Sequence, residues 1–123
     1  MARPVKLHAT VICHQNGKVL FVRDEEPEWS LPGGKIDANE LPVEAAQREL
    51  REETGLAFEN AEFLDRHVFE DEDHHLYRMA VPESIKASPH GEIVECRWFT
   101  LAELQSVPVK RHNLELLRLH RTA

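Results

Sequence analysis

The sequence predicts an α/β fold in which helices pack against a mixed β-sheet. Several short runs rich in β-branched and apolar residues are bounded by turn signals, as strands are. One segment, Pro42–Thr54, has a helical apolar period with proline at its front and glycine behind it. Strand-like and helix-like segments follow one another without regular βαβ alternation, which points to a mixed rather than a purely parallel sheet. The chain has 123 residues, the size of one domain spanning 1–123 with a real core.

Residues 6–13 are apolar and β-branched and read as the first strand. Gln15-Asn16-Gly17 is a turn signal, and Lys18–Arg23 reads as the hairpin partner. A charged loop with Pro27 leads to the short apolar piece Trp29-Ser30-Leu31 and then to Pro32-Gly33-Gly34, read as a backbone corner. Helix Pro42–Thr54 follows, with Val43, Ala46 and Leu50 as its sheet-facing stripe and Gly55 as its stop. Residues 61–70 and 74–81 read as two strands around an acidic turn, Asp71-Glu72-Asp73. Residues 93–99 form another strand, and Thr100 caps a short helix Leu101–Leu104 with Glu103 completing a capping box. A closing helix over 110–120 places Leu114, Leu117 and Leu119 near one stripe.

Hydrophobic residues make up 41% and charged residues 30%, the balance of an ordinary globular chain. The formal net charge of −7 is the opposite of what a nucleic-acid polymer attracts. A small polyanionic substrate remains open if cations invert the charge locally. No stretch approaches the roughly 18 apolar residues of a membrane span, and residues 1–8, with Arg3, Pro4 and Lys6, do not read as a signal peptide. Cys13 and Cys96 are far apart, have no zinc-type spacing, and read as buried reduced thiols. A cytoplasmic location is expected.

The chemistry is carried by the long helix. At about 100° per residue, Glu49, Glu52 and Glu53 are neighbours at three- and four-residue spacings. Three like charges on one face repel by roughly 0.2–0.5 kcal/mol for each close pair. Arg48 and Arg51 offset part of that, as on any solvated helix face; a divalent metal is the sharper alternative, because Mg²⁺ takes hard oxygen ligands and bridges carboxylates to phosphates. The glutamates also stand at fixed distances from other residues. The stretch reads Gly34, five residues, Glu40, seven residues, Arg48-Glu49-Leu50, one residue, Glu52-Glu53, one residue, Gly55-Leu56.

That stretch resembles the Nudix box at every defined position. Seven single-residue positions at usages near ~7% give a chance match on the order of 10⁻⁸ per window. Trp29-Ser30-Leu31-Pro32-Gly33 resembles the family's lead-in, and weaker similarity includes Trp98-Phe99 before the short helix. Leu41 departs from the family pattern, which often has Ser or Thr before the helix proline; leucine cannot cap the first-turn amides.

The resemblance implies an α/β/α sandwich with a loop–helix–loop catalytic motif, and a hydrolase of phosphoanhydride bonds in nucleoside diphosphate derivatives. It implies Mg²⁺ as cofactor, with Mn²⁺ as a substitute. Glu49 and Glu53 would ligate metal, Glu52 would ligate metal or act as general base, and the Gly34 carbonyl would be a further ligand. Arg48 would orient the carboxylates, and Glu40 would support the loop–helix junction. Arg23, Trp29 and Glu92 are the substrate-binding candidates: Arg23 for phosphate or simply a strand-end arginine, Trp29 for base stacking or a core side chain, Glu92 (with nearby Glu95) for an extra base or ligand or a solvated acid. His74 and His75 make a poor chelate, because adjacent strand residues point to opposite faces. Lys110-Arg111-His112 reads as a phosphate contact or, more simply, a charged first helical turn.

Family signatures for NADH-type, ADP-ribose-type and coenzyme A substrates are missing, and the sole tyrosine, Tyr77, lies too far along for the dinucleoside-polyphosphate pattern. A short MutT-like chain acting on nucleoside triphosphates, damaged ones included, is the remaining expectation. ADP-ribose or dinucleoside polyphosphate hydrolysis and a catalytically silent nucleotide-sensing module are the alternatives. The expected partner is a nucleotide-type small molecule, with no nucleic-acid polymer and no membrane; monomer and homodimer both stay open.

Overall fold

A computed structural model describes residues 5–120; Arg3 and Pro4 of the N-terminal reading lie outside the described residues. In chain order the elements are β1 (Lys6–Gln15), β2 (Lys18–Arg23), β3 (Gly33–Lys35), α1 (Pro42–Thr54), β4 (Glu62–Phe69), β5 (Glu72–Ala80), β6 (Glu95–Phe99), α2 (Leu101–Leu104) and α3 (Arg111–Leu119). The strands make one mixed sheet in the order β4-β5-β1-β2-β6, with β3 also paired to β1.

β1 organises the sheet. One edge runs parallel to β5, from Lys6 opposite Glu72 to His14 opposite Ala80. Its other edge is divided between two partners. His8, Ala9 and Thr10 pair antiparallel with Lys35, Gly34 and Gly33 of β3, whereas His14 and Gln15 pair with Val19 and Lys18 of β2. Between these partners the Val11 amide donates to the Pro32 carbonyl at 2.9 Å. The chain segment before β3 therefore fills the split, bonded through Pro32 to β1 and through Ser30 to Val22 of β2, and the cleft described below opens beside it.

The two faces of β1 alternate, as a period of two requires. Ala9, Val11 and Cys13 pack with Ala45, Ala46 and Leu50 of α1. Ile12 joins Phe21, Phe99, Leu104, Leu116 and Leu117 on the other face. Helices thus cover both faces of the sheet, and α/β/α is the observed architecture. A strand buried on both sides reads as a nearly continuous apolar run, which explains 9–13.

Several boundaries differ from the sequence reading for identifiable reasons. The expected corner at Pro32-Gly33-Gly34 continues into a three-residue strand, because two residues without Cβ atoms lie flat against β1. The acidic turn is Glu70-Asp71; Glu72 and Asp73 already belong to β5. Asp73 is buried there, with Arg66 Nε 2.8 Å from its Oδ1. The expected strand over 93–99 starts at Glu95.

Both long helices are rotated from their expected phase. In α3 the buried leucines are Leu116 and Leu117, while Leu119 is exposed. Asn113 sets this rotation: its Oδ1 accepts the Leu31 amide at 2.7 Å, which turns 113, 116, 117 and 120 inward. In α1, Val43 is exposed and the buried residues are Ala45, Ala46, Leu50 and Thr54. On a wheel of about 100° per residue, Glu49 and Glu53 fall inside that buried arc and Glu52 outside it. Leu41 occupies the N-cap without a side-chain bond; Glu44 Oε1 accepts the Leu41 amide at 2.8 Å, and Gly55 ends the helix at φ 74°. Among the described residues, no helix is long and apolar enough to cross a membrane.

Candidate active site

The phase of α1 decides the site. Glu49 and Glu53 occupy positions on a sheet-facing arc, yet their carboxylates reach a cleft, because β3 beneath them has no side chains at Gly33 and Gly34. A Cβ on Gly34 would stand 2.6–2.9 Å from the carboxyl atoms of Glu49. A Cβ on Gly33 would collide with the Ala9 carbonyl. The paired glycines therefore let a bare backbone lie directly under two acids.

The resulting cleft has a volume of about 660 Å³ and takes its walls from β1, β3, α1, β5 and the start of α3. An adjoining hollow of about 530 Å³ shares Glu28, Glu49, Glu53 and Glu92 with it and adds Glu52 and Asp24. Glu49, Glu52 and Glu53 thus line one shared space. Lys110 borders both parts, and Lys35 and Arg111 border the larger one.

Each acid is held by a different partner. Glu53 Oε1 accepts the Gly33 amide at 2.8 Å. Burial pushes the Glu53 carboxyl up to about 8; the Gly33 bond works against that rise, and the charges of Glu49 and Glu52 add to it. Arg48 Nη1 lies 2.7 Å from Glu49 Oε1 and 3.3 Å from Glu52 Oε2. The rest of its guanidinium is held by Glu40, with Nε 2.8 Å from Oε2 and Nη2 3.0 Å from Oε1, and by the Lys35 carbonyl at 3.0 Å. Hydrogen bonds from Arg48 and from the Asp37 backbone hold Glu40 down at about 2. Arg48 is in this way a brace between β3, the loop before α1, and two of the three helix acids.

A divalent cation fits this arrangement. The donors are carboxylate oxygens beside a glycine backbone whose carbonyls are oxygen ligands too, the hard set such ions prefer. The glycine cradle leaves room at the Glu49 carboxylate that any Cβ would fill. Glu53, whose ionisation burial opposes, would be favoured in its charged form by a cation.

The other sequence candidates are placed as follows. Glu92 is exposed and borders both parts of the cleft. Arg23 pairs with Glu95 Oε1 at 2.9 Å and donates to the Asp24 and Glu26 carbonyls, and it is not among the residues lining either part of the cleft. Trp29 is only 5% exposed and packs edge-on against Phe99 at 4.9 Å, so its core reading describes where the ring sits. Cys13 and Cys96 are free thiols; burial pushes them up to about 12 and about 11, with Glu53 adding to the second, and keeps both protonated.

One part of the cleft wall was not assembled from sequence, although His74 and His112 were each considered singly. His8, Glu72, His74 and His112 line it. His74 and His75 do face opposite ways, His74 being buried and His75 lying near Phe63 at 6.5 Å. The available signal was Glu72-x-His74, two residues apart and hence on one face of a strand. His8 joins them only through strand pairing, which no local pattern reveals.

Three comparisons with known proteins bear on the family and the fold. A family model described as NUDIX domain matches residues 5–120. Phosphatase NudJ of Escherichia coli (strain K12) is 33% identical over 110 residues, covering 80% of this chain and 72% of NudJ. A structure of a nudix hydrolase family member from Chromobacterium violaceum superposes with a TM-score of 0.84 at 25% identity, covering 100% of this chain and 85% of that one. A bifunctional NMN adenylyltransferase/ADP ribose pyrophosphatase from Francisella tularensis, complexed with AMP and a manganese ion, shares the fold with a TM-score of 0.75 at 16% identity, covering 96% of this chain and 41% of that one.

Proposed function

The chain belongs to the Nudix family of hydrolases, and from that premise we propose that it is a Mg²⁺-dependent enzyme that uses water to cleave a phosphoanhydride bond in a nucleoside diphosphate derivative. Nucleoside triphosphates, damaged ones included, are the foremost substrate class, and a reducing cytoplasm suits its two free thiols. The observation that carries this reading is the hollow beside Gly33 that Glu49, Glu52 and Glu53 line together, with Gly34 leaving bare backbone under Glu49.

Phosphoanhydrides resist hydrolysis because an attacking water meets a shell of negative charge. A divalent ion bound here supplies neutralisation of phosphate oxygens and a more acidic water. The Gly34 carbonyl, Glu49 and Glu53 are the residues that would hold it, with Glu52 as a further ligand or as the group that takes the proton from water. Glu52 is the most exposed of the three, and Arg48 Nη1 sits 3.3 Å from one of its oxygens, which leaves the other oxygen to accept. Arg48 keeps Glu49 and Glu52 pointed at the cleft, a positioning role. Lys35, Lys110 and Arg111 border the cleft and offer positive charge to a substrate's phosphates.

A panel of nucleoside triphosphates, ADP-ribose and dinucleoside polyphosphates, run at alkaline pH with Mg²⁺ or Mn²⁺ in ¹⁸O-water, tests this. The expected result is metal-dependent release of phosphate or pyrophosphate, fastest with a triphosphate, with ¹⁸O reporting which phosphorus was attacked. Faster cleavage of ADP-ribose or a dinucleoside polyphosphate would overturn the substrate class alone. Tight binding without turnover across the panel would replace the enzyme with a nucleotide-sensing module.

A further inference from the structure

The wall of the cleft that the acidic hollow does not share is built around one carboxylate and three imidazoles. The parallel register sets His8 beside His74, and Glu72 shares the His74 face of β5. One ligand-capable atom from each of His8, Glu72 and His74 lies within 4.8 Å of the other two. Glu72 Oε1 is 2.9 Å from His74 Nε2 and 2.8 Å from Nδ1 of His112, near the start of α3.

The rings are held in place from behind. His74 Nδ1 lies 3.1 Å from the Thr10 hydroxyl, a buried contact that fixes the ring and aims Nε2 at Glu72. Metal-ligating histidines are commonly oriented by such a partner on their other nitrogen. His8 stacks on His74 with centroids 4.9 Å apart and planes 15° apart. Its Nδ1 is, among the described residues, a buried side-chain polar atom with no hydrogen-bond partner.

We propose that His8, Glu72 and His74, with His112 as a fourth donor, form a second cation site selective for a borderline transition metal such as Zn²⁺. Imidazole nitrogens with one carboxylate suit zinc and its neighbours, whereas the all-oxygen set on α1 suits magnesium. A metal there replaces the protons shared between Glu72 and the two rings that contact it. The site goes beyond the hydrolase reading and does not depend on it, because the two donor sets have no residue in common.

Co²⁺ titration followed by visible absorption, with Zn²⁺ titration by calorimetry, tests the site on the full chain. His8→Gln and Glu53→Gln are compared with wild type, and far-ultraviolet circular dichroism verifies that each is folded. The expected result is one equivalent of Co²⁺ with a nitrogen-ligand spectrum, displaced by Zn²⁺ but not by millimolar Mg²⁺. Affinity should fall at least about tenfold in His8→Gln, in the range for disturbing a metal site, and hold in Glu53→Gln. The histidine ring resonances of His8 and His74 should shift together on Zn²⁺ addition. The proposal is overturned by no binding at micromolar Zn²⁺, by displacement with Mg²⁺, by equal affinity in His8→Gln, or by loss confined to Glu53→Gln.

Discussion

Two carboxyl groups in one cleft, Glu53 and Glu72, respond to burial in opposite ways. Burial opposes ionisation of both. At Glu53 burial is the larger cause, the charges of Glu49 and Glu52 add to it, and the carboxyl is pushed up to about 8. At Glu72, hydrogen bonds from His112 and His74 outweigh the burial cost and hold the carboxyl down at about 2. Burial prevails at Glu53, where one backbone amide opposes it, and loses at Glu72, where two imidazoles do. On α1 the helix gathers acids without a counter-charge of its own at Glu53, the condition that makes a cation welcome. On β1, β5 and α3 the counter-groups are built in, and a metal must compete with protons already shared.

The comparison breaks first at Glu53→Gln. If this carboxylate meets the ion and substrate, turnover of the best substrate in Mg²⁺ drops by orders of magnitude while the circular dichroism spectrum stays native. Near wild-type turnover would move the chemistry elsewhere in the cleft.

Gly34→Ala comes next. The new Cβ would meet the Glu49 carboxyl group at 2.6–2.9 Å, so that acid must swing away from the cradle. Misplacement on this scale costs about 100-fold in kcat/KM, measured with the same substrate. An unaffected rate would show that Glu49 does not need the bare backbone beneath it.

A smaller effect sharpens the contrast in charge. A carboxyl raised in the fold from 4.5 to about 8 binds its proton more tightly there than in the unfolded chain. Glu53 therefore contributes stability that is fully present below about pH 4.5 and is lost as pH rises through about 8. Glu72, held down at about 2, contributes stability present above about pH 4.5 and lost as pH falls through about 2. Thermal melts of metal-free protein should show the Glu53 loss between those pH limits, and Glu53→Gln should lack it. Added Mg²⁺ should raise Tm more at pH 8.5 than at pH 6; a pH-independent rise would contradict the shift.

The smallest effect lies outside the cleft. Leu41 has N-cap geometry, φ −76° and ψ 151°, no side-chain cap bond, and Glu44 already in the reciprocal position. Leu41→Ser should stabilise the fold by about 1 kcal/mol through a completed capping box, read as a higher denaturation midpoint with unchanged m-value.

Legibility in the sequence follows the same division. The bounds of α1, the Thr100-capped α2 and the hairpin at Gln15-Asn16-Gly17 were readable because proline, glycine and capping signals act within a few residues. The acids of α1 were readable for the same reason: one helix carries them at fixed spacing. Helix phase was not, since Asn113 turns α3 through a bond to Leu31, 82 positions away. β3 was hidden by its glycines, which look like a corner until β1 pairs with them. The histidine wall was hidden because β1 and β5 are brought together only by the sheet.

The central claim is that the acids of α1 hold a divalent ion over the backbone of Gly34. Paramagnetic broadening of backbone amide resonances by Mn²⁺, recorded at alkaline pH with excess Zn²⁺ absent, tests it directly in wild type and Glu53→Gln. Broadening centred on Gly33, Gly34 and the turn from Glu49 to Glu53, and lost in Glu53→Gln, is the predicted result. Broadening centred elsewhere, or unchanged by Glu53→Gln, would contradict the account.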